Sequence, residues 1–199
     1  INTAFGEVFT ELFGGGNAAG VTGAAAVTLT NGKVTGGVYG GCNSSGTIGG
    51  NALVTVTGGT VGANAAHANI HGGGYGQQTA VSGDVTVNIG SVTGSGNSAQ
   101  YSGSATIYGD VYGGSALGTV NTDHSNGGTY NKTSVNLYGG TIDGNVYGGG
   151  LGDANTAALV YGDVDVFQYG AILLARYSQG LPSSATIFGC TNANSTPNR

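Results

Sequence analysis

Histidines are the first residues of this 199-residue chain to consider for chemistry, because imidazole binds metals and carries protons near neutral pH. His67 and His71 are four residues apart, which is a metal-binding spacing on a helix, but the surrounding stretch indicates strand and loop. His71 also belongs to a series of aromatic positions described below, which favours a packing ring over a metal ligand. His124 lies in a polar stretch with Asp123 and has no evident partner in the sequence.

Acidic residues are the second candidates. Most aspartates stand beside glycine, where a carboxylate accepts hydrogen bonds from the backbone of a tight corner. Calcium needs several converging oxygen atoms, and the Gly-Gly-x-Gly-x-Asp nonapeptide that supplies them in other repeat proteins is absent. The chain also lacks Gly-x-Ser-x-Gly, a Walker loop and His-Glu-x-x-His. We therefore expect a protein that is not an enzyme, with no catalytic residue, metal site or cofactor.

Cys42 and Cys190 are the two cysteines, and they occupy nearly equivalent places in an internal repeat. If four strand spacings of ~4.8 Å separate them, they lie ~19 Å apart, well beyond the ~7 Å that a disulfide allows between Cα atoms. Three states remain open. Both thiols are buried, or Cys190 of one molecule bridges to Cys42 of the next, or a C-terminal tail folds back to Cys42.

Charge is scarce. Four basic and nine acidic residues give a net charge of −5 and a pI near 4.7. Nucleic acid is a disfavoured partner, because phosphate binding needs clustered Lys and Arg. No apolar run approaches the ~20 residues that cross a bilayer, so we expect no membrane insertion. The chain opens with Ile1 and shows no basic-then-apolar leader, which predicts that any targeting segment is removed or lies outside this sequence.

The elements that must position these groups form an internal repeat with the core Gly-x-Val-Tyr-Gly-Gly. Its copies lie at residues 35–42, 69–74, 108–115 and 141–150. Glycine supplies 43 residues and proline only two, without the every-third spacing of collagen. The hydrophobic content of 39% and the few charges oppose disorder. A unit repeated every few tens of residues predicts a stack of similar turns, each buried against its neighbours.

Short stretches that alternate apolar and polar residues accompany each copy and predict strands with one buried face. Glycine-rich corners follow them. We predict an all-β fold, a β-solenoid (parallel β-helix) of about five coils with polar loops on one side. The inward aliphatic column is expected at Val27, Val54, Val85, Val135 and Val164. A second apolar position after each corner is expected at Val34, Val61, Val92, Ile142 and Ile172.

Two stretches, 91–104 and 113–133, are long and polar and are expected to be loops. In repeat proteins such loops often gather on the binding face, although they can equally be decoration. Alignment of the Tyr-Gly-Gly elements predicts an aromatic stacking column. Its members are Tyr39, His71, Tyr112, Tyr147 and Phe188.

The chain ends are expected to differ from the repeat domain at residues 20–190. Residues 1–19 form an N-terminal cap or a donor segment, and residues 191–199 form a C-terminal tail. The apolar residues from Phe5 to Phe13 fit a helical lid, but they also fit the repeat, with Phe9 aligned to Tyr112. Unpaired strand edges are templates for another copy. The expected self-assembly interface consists of Phe5, Val8, Phe9, Leu12, Phe13, Ile172, Leu173, Leu174 and Ile187.

The stretch Gly-Gly-Thr-Ile-x-Gly-x-Val-Tyr-Gly-Gly-Gly at residues 139–150, with echoes from Gly37 and Gly109, resembles the glycine-rich β-helical repeats of bacterial surface proteins. It is similar to repeats of adhesin-like and autotransporter-passenger-like chains. The likeness is loose over residues 20–190 and strong only over short stretches. It implies an extracellular or cell-surface location and a structural or adhesive role without enzymatic activity.

Two functions follow as expectations. The first is an extracellular subunit whose partner is itself, stacked head to tail into a filament. The second is a capped adhesive or glycan-binding module of a larger bacterial surface protein, with surface glycans as the partner. An ice-binding or carbohydrate-active role ranks far behind both, because the row of outward threonines is interrupted and basic residues are few.

Overall fold

The structure is a computed structural model, and it is nearly all β. Parallel strands dominate it, which agrees with the all-β expectation. Phe5, Cys190 and the expected tail at 191–199 lie outside the described part of the chain. The described residues are 7–125, 127–174, 177–178, 181–182 and 187–189.

Twenty-three strands follow one another within the described residues. The first eleven are β1 (Val8–Phe13), β2 (Ala25–Leu29), β3 (Lys33–Tyr39), β4 (Asn43–Ile48), β5 (Ala52–Val56), β6 (Thr60–Val61), β7 (Asn69–His71), β8 (Tyr75–Val81), β9 (Val85–Ile89), β10 (Ser91–Thr93) and β11 (Gln100–Ser102). The rest are β12 (Thr106–Ile107), β13 (Val111–Tyr112), β14 (Thr119–Val120), β15 (Lys132–Leu137), β16 (Thr141–Ile142), β17 (Val146–Tyr147), β18 (Leu159–Val160), β19 (Asp163–Gln168), β20 (Ile172–Leu173), β21 (Tyr177–Ser178), β22 (Leu181–Pro182) and β23 (Ile187–Phe188). Two short helices interrupt them, a 3-10 helix at Gly96–Ser98 and α1 at Thr122–Ser125.

Three parallel sheets take nineteen of these strands in turn, and the other four form two antiparallel pairs, β10 with β11 and β21 with β22. Sheet A has the order β19-β15-β9-β5-β2, and sheet C has the order β18-β14-β8-β4. Sheet B has ten strands in the order β20-β16-β12-β6-β3-β7-β13-β17-β23, with β1 also paired to β3. The chain passes from sheet A to sheet B to sheet C and back to sheet A, and we call one such passage a level. Strands of one sheet are therefore neighbours in space although one whole level separates them in sequence.

Sheet A carries the inward aliphatic column, in a register that differs from the expected one. Val27, Val54, Val87, Val135 and Val166 lie side by side, and the first four are fully buried. The sequence-based choice of Val85 and Val164 is wrong, because both residues pair with Thr133, two positions earlier in the strand. A slip of two residues keeps the same side chains on the inner face, so alternation alone cannot detect it.

Sheet B carries the second apolar row, with Val34, Val61, Ile107, Ile142 and Leu173 in register. Two expected members are wrong. Val92 is 38% exposed because it belongs to the antiparallel hairpin of β10 and β11, and Ile107 takes its place after the hairpin. Ile172 is 59% exposed because it pairs with Thr141, one residue before the buried row.

Sheet C is the part of the fold that alternation does not predict. Its strands contain Asn, Ser, Thr and glycine, and β14 lies inside the stretch 113–133 that was expected to be a loop. The remaining long excursions leave from two different corners. The β10–β11 hairpin connects sheet A to sheet B, whereas α1 lies between sheet C and sheet A. The excursions are therefore not gathered on one side.

Residues 8–13 of the N-terminal segment form a strand. β1 pairs in parallel with β3, joining Phe9 to Val34 and Phe13 to Tyr39 across a β-bulge. The helical lid is therefore wrong for residues 8–13, because pairing with β3 satisfies their backbone groups within sheet B. The expected alignment of Phe9 with Tyr112 is also wrong, since Phe13 takes that place in the register.

The core runs through all levels as two clusters of buried aliphatic side chains. The larger cluster joins the inner faces of sheets A and B, and the smaller one lies under sheet C around Cys42, Ile48 and Val120. Within the described residues, no helix has the length and hydrophobicity needed to span a bilayer.

Candidate functional site

A pile of parallel rings runs along sheet B, and we call it the ring column. The centroid distances are 4.7 Å for Phe13–Tyr39, 5.1 Å for Tyr39–His71, 4.8 Å for His71–Tyr112 and 4.8 Å for Tyr112–Tyr147. The planes of neighbouring rings differ by at most 9°. These distances match the ~4.7–4.9 Å between adjacent strands, so the sheet itself sets the ring spacing.

The pairing of residues between neighbouring strands of sheet B determines which rings stack in the ring column. Tyr39 pairs with His71, His71 with Tyr112 and Tyr112 with Tyr147. Phe188 pairs with Tyr147 through the backbone, and its side chain lies outside the description. Phe13 joins the pile at the other end, and the sequence alignment missed it because the β-bulge in β1 shifts the register.

Glycine after each ring allows the close stacking. A Cβ added to Gly40 would collide with the carbonyl oxygen of Gly72, and one added to Gly72 would collide with that of Gly113. A Cβ on Gly113 would in turn collide with the carbonyl oxygen of Gly148. The corners therefore approach more closely than any residue with a side chain permits, which is why glycine recurs there.

His71 behaves as a packing ring. It is 1% exposed, and burial lowers its pKa to about 3. Its Nδ1 has no hydrogen-bond partner among the described residues. The ring is therefore neutral at physiological pH. Burial, followed by Glu11 and Tyr75, raises the pKa of Tyr39 to about 12, so its phenol also stays uncharged.

Several carboxylates of the described residues hydrogen-bond to groups on neighbouring levels or within their own corner. Tyr112 Oη donates a hydrogen bond to Asp110 Oδ2 at 3.2 Å, and Asp110 Oδ1 accepts one from the backbone N–H of Asn145. Asp84 Oδ1 similarly accepts the N–H of Lys132. These carboxylates join neighbouring levels. No three His, Cys, Asp or Glu side chains of the described chain converge as a metal site requires.

The residues of the expected self-assembly interface lie on the outermost strands. Val8, Phe9, Leu12 and Phe13 are on β1, Ile172 and Leu173 on β20, Leu174 directly after it, and Ile187 on β23. Val8 is 68% exposed, Ile172 59%, Leu174 43% and Ile187 41%, whereas Leu12 is buried. The structure thus puts them at two opposite edges of sheet B and does not bring them together. Cys42 is a buried free thiol, so a bridge to another molecule requires the core to open.

A second aromatic cluster escaped the sequence analysis. Tyr101, Tyr138 and Tyr169 lie with their ring centroids 4.8–6.0 Å apart and their planes within 28° of parallel. We call them the tyrosine surface. Tyr138 and Tyr169 each follow a sheet A strand and precede a glycine, so aligned strand ends could have revealed that pair. Tyr101 comes from the hairpin, whose fold-back the repeat pattern does not contain.

A cavity of about 230 Å³ lies beside the tyrosine surface. Its walls come from three successive corners between sheets A and B. They contain Tyr101, Ser102, Gly103, Ser104, Ala105, Tyr138, Gly139, Gly140, Thr141, Gly170 and Ile172. None of these described lining residues carries a charge. The site offers aromatic rings and hydroxyl groups, which suits a neutral polar ligand.

Comparison of the chain with protein-family models, with curated proteins and with solved structures found no match. The function is therefore inferred from the residues and their arrangement alone.

Proposed function

We propose that this is a non-enzymatic structural protein, a β-solenoid of about five coils that stacks head to tail with other copies into an extracellular filament. Each level of the sheets is one coil in this proposal. The extracellular part of the proposal depends on the resemblance of the repeats to those of bacterial surface proteins.

The periodic register supports the solenoid. Like residues follow one another from level to level in sheet A, in sheet B and in the ring column. Such a stack gains its stability from contacts between adjacent levels, so a further level of similar sequence can always be added. A second copy offers such a level without any new kind of contact.

The location of exposed aliphatic side chains is the observation that carries the filament proposal. Five Val, Leu or Ile side chains of the described residues are more than a third exposed, and four of them lie on or next to outermost strands of sheet B: Val8, Ile172, Leu174 and Ile187. The other Val, Leu and Ile side chains that the structure describes are buried or partly buried. Exposed apolar residues beside unpaired strand edges favour pairing with another chain.

The two edges are also complementary in register. The row that starts at Phe9 ends at Leu173, and the row that starts at Leu12 ends at Ile187. If β20 of one copy lies beside β1 of the next, apolar rows continue through the junction. Contact between unlike edges does not close on itself, so it generates a fibre.

Electron microscopy of the purified protein tests this proposal. We expect filaments that lengthen with protein concentration, and we expect V8K or I172K to abolish them, because a lysine on an edge strand opposes pairing. Light scattering at increasing concentration gives a second readout. Dispersed single particles at high concentration would overturn the filament.

V92K is the matched control. Val92 is exposed like the edge residues, but it lies on the β10–β11 hairpin and not on an outermost strand of sheet B. This variant should assemble as the parent protein does. If V92K prevents assembly as fully as V8K, added charge rather than edge pairing controls the association.

An adhesive or glycan-binding module of a larger surface protein is the second candidate function. The tyrosine surface favours it, because exposed aromatic rings beside a cavity without charges suit a sugar. This function is compatible with the same stack of levels and differs only in its partner.

A further inference from the structure

We propose that Tyr101, Tyr138 and Tyr169 form a binding site for a neutral glycan, with one sugar ring in the adjoining cavity. This inference rests on the second candidate function. Ile172 is the lining residue that this site shares with the proposed edge pairing, whereas the three tyrosines belong to this site alone. It names the residues of the site and the class of ligand.

The aromatic component comes from three different levels of the chain. Tyr138 and Tyr169 directly follow neighbouring strands of sheet A, and Tyr101 reaches them from the β10–β11 hairpin. Tyr101 and Tyr169 are each 43% exposed. Packing within the fold does not require that a cluster of aromatic rings remain exposed to water. Tyrosine has an apolar ring and a polar hydroxyl, so it suits a ligand that offers both kinds of surface. The apolar face of a sugar ring offers the matching surface.

The polar component excludes charged ligands. Ser102, Ser104 and Thr141 supply hydroxyl groups to the cavity, and none of its described lining residues is Lys, Arg, Asp or Glu. An acidic sugar or a phosphate would therefore find no Lys or Arg side chain among these lining residues, although such ligands normally pair with one. A quaternary ammonium group is bound by rings that surround it, whereas these three rings are nearly parallel.

The backbone around the cavity is already paired, which disfavours an added peptide strand. Gly139 N–H donates to the carbonyl oxygen of Ile89, Thr141 N–H to that of Ala105, and Ile172 N–H to that of Gly140. Peptides that extend a sheet need free backbone groups on an edge strand. A ligand at these corners must use the rings and the hydroxyl groups, as a sugar does.

The cavity volume limits the ligand. About 230 Å³ is smaller than the ~300–1,000 Å³ of typical pockets for drug-sized ligands. One sugar ring therefore occupies the cavity, and adjacent rings of the glycan lie over the tyrosines. Burial, with Tyr169 and Tyr101 as neighbours, raises the pKa of Tyr138, so its phenol remains a hydrogen-bond donor at neutral pH.

The test uses the whole protein and a panel of neutral oligosaccharides built from glucose, mannose, galactose and N-acetylglucosamine. Binding is measured by calorimetry and by tyrosine fluorescence, which reports without interference because the chain has no tryptophan. We expect at least one member to bind, and we expect Y101A and Y169A each to weaken binding about tenfold. Y101F keeps the ring and should lose less. Heparin should not bind.

Y130A and Y161A are the matched controls, because Tyr130 and Tyr161 are exposed tyrosines outside the site. They should bind the glycan as the parent protein does, and circular dichroism should show every variant folded. The proposal is overturned if no neutral sugar of the panel binds at millimolar concentration, or if Y101A and Y169A bind as the parent does. It is also overturned if both controls lose binding equally, or if the tyrosine variants lose self-association instead. Filament formation without sugar binding therefore removes this site and leaves the edge pairing intact.

Discussion

The stacked levels and the β10–β11 hairpin follow different rules, although they adjoin in sequence. Val87 of sheet A is fully buried between Val54 and Val135, whereas Val92, five residues later, is 38% exposed. In the stack each side chain must pack against the side chains at the same position one level above and one level below. In the hairpin a residue pairs only with the residue opposite it on the other strand, as Val92 pairs with Tyr101.

Because of this difference, the residues that hold the levels together are more constrained than the residues of the hairpin. Residues of the stack are constrained from two sides, so a change there must suit both neighbouring levels. The hairpin can change its side chains without repacking the sheets. The tyrosine surface lies where the two regions meet, with Tyr138 and Tyr169 held by the stack and Tyr101 supplied by the hairpin. A rigid support with a variable element is the usual arrangement of a binding site.

The largest effect is expected from a corner glycine of the stack. In G72A the new Cβ would collide with the carbonyl oxygen of Gly113 and with side-chain carbons of Val85 and Val87. The backbone of the next level cannot move aside without breaking the hydrogen bonds between parallel strands. We therefore expect a loss of at least ~4 kcal/mol in the free energy of unfolding. Urea unfolding followed by far-UV circular dichroism measures it.

G23A is the control for that experiment. An added Cβ at Gly23 meets no atom within 4 Å, and its φ is not positive. Alanine there should leave stability unchanged or raise it by ~0.4–1 kcal/mol, because it restricts the unfolded chain. Equal losses in G72A and G23A would mean that glycine flexibility, rather than close approach between levels, explains the composition.

The same contrast explains how much of the fold the sequence could predict. Alternation and Tyr-Gly-Gly spacing suffice to predict most strands of sheet A, their buried faces and the pairing of Tyr39 with His71, because these features repeat. They cannot fix register, since Val85 and Val87 both point inward and only the neighbouring strand chooses between them. Sheet C has little alternation to recognise, because β4 is rich in Asn, Ser and glycine and because β14 and β18 contain two residues each. The tyrosine surface needs the hairpin, whose position no repeat specifies.

The next effect concerns pH and the ring column. Burial lowers the pKa of His71 to about 3 from an ordinary value of 6.5. Between these values the unfolded chain binds a proton that the folded chain excludes, so acid favours unfolding. The contribution to stability is complete above pH ~6.5 and disappears as the pH falls towards ~3. Between pH 7 and pH 3 it amounts to ~4 kcal/mol.

H71Y isolates this contribution. Tyrosine occupies the same position one level away on both sides, at Tyr39 and Tyr112, so the ring column can accept it. At each pH, the unfolding free energy of the parent protein is subtracted from that of H71Y. This difference should rise by ~4 kcal/mol as the pH falls from 7 to 3. Parallel pH profiles of the two proteins would show that His71 is protonated or exposed in the folded state.

The smallest effect compares two valines directly, one in each region. V87A removes two methyl groups from a fully buried position, where lost burial and the remaining cavity cost ~2 kcal/mol. V92A removes the same groups from an exposed position, where surface substitutions change stability by less than ~0.5 kcal/mol. Because the two substitutions are chemically identical, the difference between their unfolding free energies measures what the stack demands of a residue. If V92A costs as much as V87A, the hairpin is part of the cooperative core, and Tyr101 is then held as firmly as Tyr138 and Tyr169.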